Sequence, residues 1–150
     1  MKTAEDILKE KNREMICVSP LVTVYEAVQI MVKHKIGAIV IKENDKIVGI
    51  FTERDLLNNV ANKDFDPKKA LIKDYMQTKL ISVLSSDPIY KLQDKILGAF
   101  LRHLIVEKDE QYIGLISAGD VARADLLEKE QHLSAVSWDY YEDWHWGKKK

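Results

Sequence analysis

The chain has 150 residues, 46% apolar and 31% charged, a balance that suits a packed core and not a disordered segment. Its 23 Lys and Arg nearly cancel its 24 Asp and Glu, and the formal charge of -1 argues against a dedicated duplex-binding protein. The lone Cys17 excludes an intrachain disulfide and a Cys-based zinc site, and no apolar run nears the ~20 residues that span a bilayer.

Residues 4 to 10 read as a short helical lead-in, preceded by a polar, acid-bearing start that does not resemble a signal peptide and points to the cytoplasm. Val18 and a Ser-Pro turn follow, then Val24, Val28, Met31 and Val32 at helical spacing. The runs Ala38–Ile41 and Ile47–Phe51, with polar residues 42–46 between them, suit a hairpin. A helix is predicted from Thr52 to about Ala61, then a polar connector over residues 62–67 and a short helix from Ala70 to Met76. The order then recurs, displaced by 65 residues: Val83, a turn ending in Pro88, and Ile89, Leu92, Ile96 and Phe100 at helical spacing. The runs His103–Val106 and Tyr112–Ile116 flank polar residues 107–111, and a helix is predicted from Ser117 to about Ser134.

Few identities survive in the stretches that begin at Val18 and Val83: Val18 with Val83, Tyr25 with Tyr90, Gly49 with Gly114, Asp55 with Asp120. The apolar and turn pattern survives far better, because burial depends on it. Each unit is too small for a comfortable core, so two α/β units are expected to pack through their sheets as one body. The divisions are 1–65 for the first unit with its lead-in, 66–134 for the second with its linker helix, and 135–150 for the tail.

The chemistry sits in a repeated motif: Gly, two apolar residues, Thr or Ser, any two residues, then Asp. It occurs as Gly49–Asp55 and again as Gly114–Asp120. A hydroxyl followed by an acid three residues on forms a variant capping box, and a single occurrence means little more. Two occurrences at one point of a repeat suggest a further use. A helix start presents free N–H groups and the positive end of the macrodipole, which favour phosphate. Asp55 and Asp120 can accept the vicinal hydroxyls of a ribose, and Thr52 and Ser117 can meet the sugar or first phosphate. This geometry suits a nucleoside phosphate lying across the strand–helix turn.

The repeat order and both motifs resemble the CBS domain, named from cystathionine β-synthase, here as a tandem pair over about residues 4 to 130. The resemblance implies two βαββα-type units about a pseudo-twofold axis, with two clefts between their sheets. It also implies a regulatory module that binds AMP, ADP, ATP, S-adenosylmethionine or NAD(H) and signals to an effector protein. By the family's motif, Asp55 and Asp120 would hold ribose, and Thr52 and Ser117 the sugar or α-phosphate. Adenine would lie near Cys17, Val18, Ala38 and Ile39 in one cleft, and near Ser82, Val83 and Leu104 in the other. Arg102 and His103 resemble the family's phosphate-facing basic pair, where the first unit has Gly37 and Ala38. Arg54 lies within the first motif and Gly119 takes its place in the second, so the two sites are expected to be unequal. His103 has the alternative reading of a packed core histidine.

No phosphate-binding Gly-rich loop, nucleophile elbow or helical His pair occurs, so no enzyme activity, catalytic cofactor or metal is expected. The main rival is a purely structural dimerisation module with empty clefts. The family's usual assembly implies a homodimer, with no nucleic acid or membrane partner. All three Trp (Trp138, Trp144 and Trp146) fall in the tail, whose rings are expected to meet a second copy or fold back on their own module.

Overall fold

The Ile- and Val-rich runs are buried on both faces, since each sheet has helices on one side and the other sheet on its opposite side. A computed structural model of the chain describes residues 1–130. The end of the last predicted helix and the aromatic tail lie outside the described residues.

In chain order the elements are α1 (Ala4–Lys11), β1 (Cys17–Val18), α2 (Val24–His34), β2 (Ala38–Glu43), β3 (Lys46–Thr52) and α3 (Glu53–Val60). The second unit follows with β4 (Ser82–Leu84), α4 (Ile89–Gly98), β5 (His103–Lys108), β6 (Gln111–Ser117) and α5 (Ala118–Lys129). Each unit holds a three-stranded sheet, ordered β1-β2-β3 and β4-β5-β6. In each, the first pair is parallel and the second antiparallel, with a register shift at Ile41/Lys42 and at Val106/Glu107. The predicted mixed α/β pair of units is thus the observed fold.

Strand alternation sorts the apolar side chains. Ile39 and Ile41 pack with Val24, Ala27 and Phe51 on the helix side of the first unit. Leu104 and Val106 do the same with Leu92 and Val121 in the second. Val40 and Ile105, equivalent positions of the two repeats, share a seam between the sheets with Met15, Cys17, Leu80 and Leu115. Equivalent residues meeting one another are the mark of a pseudo-twofold arrangement.

The lead-in segments cross over. Ala4 and Ile7 of α1 are buried in the core of the second unit, and Ala4 N and Glu5 N donate to Asp87 O and Ser85 O at 2.9 Å. Ile72, from the linker, is buried in the core of the first unit. The segment 70–76 forms only a 3₁₀ turn over Ile72–Asp74, not the expected helix. Its amides are spent on the first unit: Ile72 N donates to Val22 O at 2.8 Å and Lys73 N to Pro20 O at 3.2 Å.

Three other expectations change in detail. The hairpin loops are two residues, Asn44-Asp45 and Asp109-Glu110, all with positive φ, where five polar residues were expected. Such turns match the twist of the flanking strands, so pairing extends into the polar residues. Phe100 does not continue α4: Gly98 ends the helix, and Phe100 turns left-handed with 86% of its surface exposed. Val32 lies on the outer face of α2 and is exposed, not packed.

Candidate functional site

Each repeated motif ends a strand and starts a helix. Asp55 N donates to Thr52 Oγ1 at 3.3 Å, and Thr52 N donates back to Asp55 Oδ2 at 2.9 Å. Asp120 N donates to Ser117 Oγ at 3.0 Å, and Ser117 N to Asp120 Oδ2 at 2.9 Å. Both motifs therefore form full capping boxes. The glycine has its own reason: a Cβ on Gly49 would collide with the Met76 side chain, its Cγ at 2.9 Å, and stand 3.1 Å from Gln77 O, and one on Gly114 would stand 2.8 Å from Leu8 Cδ2. The glycine that both repeats share is the place where the crossed lead-in lies against the strand.

A cleft of about 230 Å³ opens between the two units beside the first motif. Thr52, Glu53 and Arg54 enter it from the start of α3, and Arg102 and His103 enter from the second unit. Ile50, Leu80, Ile81, Leu101 and Ile105 supply its apolar wall. Asp55 stands next to the lining residue Gln77, whose Nε2 donates to Asp55 Oδ1 at 2.8 Å and Oδ2 at 3.0 Å.

Other residues singled out from the sequence lie elsewhere. Val18, Ile39, Val83 and Leu104 are buried on the helix sides of their sheets, Ala38 is buried in β2, and Cys17 sits in the seam. Ser82 Oγ donates to Glu107 Oε2 at 3.0 Å. Of the four expected together in one cleft, Cys17, Val18, Ala38 and Ile39, none lines the cleft beside the first motif; Ser82, Val83 and Leu104 were expected in the other. Ile81 and Ile105, which do line it, each lie one residue from Ser82 and Leu104, and a one-residue step turns a side chain to the opposite face of its strand. Burial pushes the Cys17 thiol up, which favours its protonated form.

The charge around the cleft is largely positive. Arg54, Lys79 and Arg102 face one carboxylate, Glu53. Arg102 Nη1 lies 3.5 Å from Glu53 Oε1, and both side chains are 59% exposed, so the pair is weak and open to exchange. His103 brings no charge. Burial, with Lys11 and Arg102 adding to it against Asp120, pushes its pKa down to about 4. It is a neutral wall residue at pH 7, closer to the packed alternative than to a phosphate-binding cation.

Sequence reasoning missed Gln77, Lys79 and Phe100, all in this lining. Lys79 had a readable signal: its repeat equivalent is Glu14, a charge reversal between otherwise matched segments.

At the second motif the surroundings differ. Lys11, the last residue of α1, places Nζ 2.8 Å from Asp120 Oδ2 and 3.3 Å from Leu115 O. Burial opposes the charge of Asp120, but Lys11 and the Ser117 hydrogen bonds outweigh it and hold the carboxyl below its ordinary value. Gly119 stands where the first motif has Arg54.

Among the described residues, no group of three or more His, Cys, Asp or Glu is placed to hold a metal ion, and no helix is long and apolar enough to cross a membrane. A family model described as "CBS domain" matches residues 4–62 and 72–127. A mitochondrial CBS domain-containing protein of Arabidopsis thaliana is 31% identical over 145 residues, covering 90% of this chain and 70% of that protein. A solved CBS-domain containing protein of Agrobacterium tumefaciens superposes with a TM-score of 0.77 at 32% identity, covering 83% of this chain and 99% of that one. A CBS domain protein of Pyrobaculum aerophilum, solved in complex with AMP, superposes with a TM-score of 0.73 at 26% identity, covering 85% of this chain and 97% of that one.

Proposed function

The chain belongs to the CBS-domain family as a tandem pair, and from that premise we propose that it is a regulatory module binding an adenine nucleotide in the cleft beside Asp55, without chemistry of its own. One observation carries this reading: Arg54, Lys79 and Arg102 surround a half-apolar cleft at a helix start, with a ribose-competent carboxylate at its edge. The AMP complex of the Pyrobaculum relative supports it.

In this reading the ribose hydroxyls replace the exposed Gln77 amide on Asp55. The base lies on Leu80, Ile81 and Leu101. The phosphates take Arg102 from Glu53 and reach Arg54 and Lys79. A cavity of about 230 Å³ is small for a whole nucleotide, so the phosphates extend to the open rim where these cations stand. A ligand touching both units stabilises one arrangement of them, by ~2.7 kcal/mol at a hundredfold excess over Kd if the other arrangement does not bind. An effector protein reads that shift. We expect a homodimer, supported by Val32, Leu57, Val60 and Leu97 left exposed on α2, α3 and α4.

Calorimetry with AMP, ADP, ATP, S-adenosylmethionine and NADH tests the reading. Saturable binding, weakened at least tenfold by Asp55→Ala, is expected. Absence of heat with every ligand at millimolar concentration overturns the nucleotide reading, and unweakened binding in Asp55→Ala overturns the site. A purely structural module is the second reading. It is favoured by the capping boxes, in which both aspartates already serve their own helices, and the same titration separates the two.

A further inference from the structure

The two strand–helix turns have the same backbone and the same capping box, yet their carboxylates are engaged by different groups. Asp55 accepts from Gln77, a neutral amide on an exposed residue. Asp120 accepts from Lys11, an ammonium only 29% exposed, and is itself 18% exposed. A charge-assisted bond in such a setting is roughly twice as strong as a neutral one, so ribose hydroxyls exchange readily with Gln77 and poorly with Lys11.

Lys11 is also held from both directions. Its Nζ donates to Leu115 O as well as Asp120. Its helix is anchored at the other end by Ala4 and Ile7, buried in the core of the second unit. A ligand seeking Asp120 must therefore displace an ammonium that is held by a second acceptor. The cations of the first cleft have no counterparts to help it: Arg54 corresponds to Gly119, and Lys79 to Glu14.

We infer that Lys11 is a built-in plug at the second motif, where the tandem repeat leads one to expect a second cleft, so that the chain takes one nucleotide where its two repeats suggest two. The inference rests on the nucleotide reading above and adds a residue, a stoichiometry and a closed site to it. The Lys11 ammonium and a ligand's hydroxyls compete for the same carboxylate.

Titration calorimetry of the full chain with AMP is the test, run on wild type and on Lys11→Met, which keeps the aliphatic stem. Lys11→Gln serves as a second variant with a neutral donor, and thermal melts and circular dichroism show that each is folded. One site per chain is expected in wild type. A second, weaker site is expected in either variant, lost again when Asp120→Ala is added. Two sites in wild type overturn the plug. So does one site in wild type and in folded variants alike, and that result leaves the nucleotide reading standing. A site that appears only in the variants supports the plug while removing the reading of the first cleft. No binding in any protein overturns both.

Discussion

Lys11 Nζ lies 2.8 Å from Asp120 Oδ2, joining two residues 109 positions apart across the crossed lead-in. The same pair ties stability to acidity. The carboxyl of Asp120 is held below its usual value in the folded state, so just below the ordinary carboxylate range the unfolded chain binds the extra proton. Its contribution is complete at neutral pH and is lost as the pH falls through the folded value. Lys11→Met is expected to lower unfolding stability at pH 7 by about 1–3 kcal/mol, since it strands a largely buried carboxylate. Urea melts check the size, and a melt series below pH 4 is expected to bring wild type and variant together.

His103 titrates in a different window. Its folded value of about 4 lies below the ordinary 6.5, so between those limits the unfolded chain binds a proton that the folded chain refuses. Stability from this group is full above pH 6.5 and declines as the pH falls to about 4, by on the order of 1–3 kcal/mol. His103→Gln is expected to flatten that part of the stability curve. Chemical-shift titration of the imidazole reads the value directly, and an ordinary value near 6.5 would refute the burial argument.

Gly49 and Gly114 carry the crossed segments. Gly49→Ala is expected to cost about 1–3 kcal/mol by overpacking, because the nearby Gln77 carbonyl is backbone and yields less than a side-chain tip. Gly114→Ala meets the side chain of Leu8 and is expected to cost less. Denaturant midpoints rank the two, and the reverse order would contradict the crossing contacts as described.

Crossed lead-ins also make the units unfold together. Ile7→Ala removes a side chain from the core of the second unit and Ile72→Ala one from the first, each at about 2–5 kcal/mol. Both are expected to shift a single transition. Two separated transitions in either variant would show that the units are independent.

Much of this protein is legible without coordinates. The runs at 38–41 and 103–106, the helix starts at Thr52 and Ser117 and the repeat itself depend on local spacing, which a chain displays wherever burial recurs with a fixed period. Of the residues singled out from the sequence, Thr52, Arg54, Arg102 and His103 line the cleft and Asp55 stands beside it, positions that residue type and motif spacing mark. The facing of Val18 and Ile39 has no such mark: in a strand buried on both sides the alternation of polar and apolar residues that reveals facing is absent.

Residue type and short-range spacing specify two α/β units and their paired Thr/Ser–Asp turns. Which segment completes which unit, the burial that keeps His103 uncharged, and the different partners of the two aspartates, Lys11 and Gln77, belong to the packed molecule. Each of these depends on neighbours brought together by the sheets packing face to face: burial for His103, and the crossing of α1 and the linker for the two aspartates. Such pairings are long-range, and no local pattern records them.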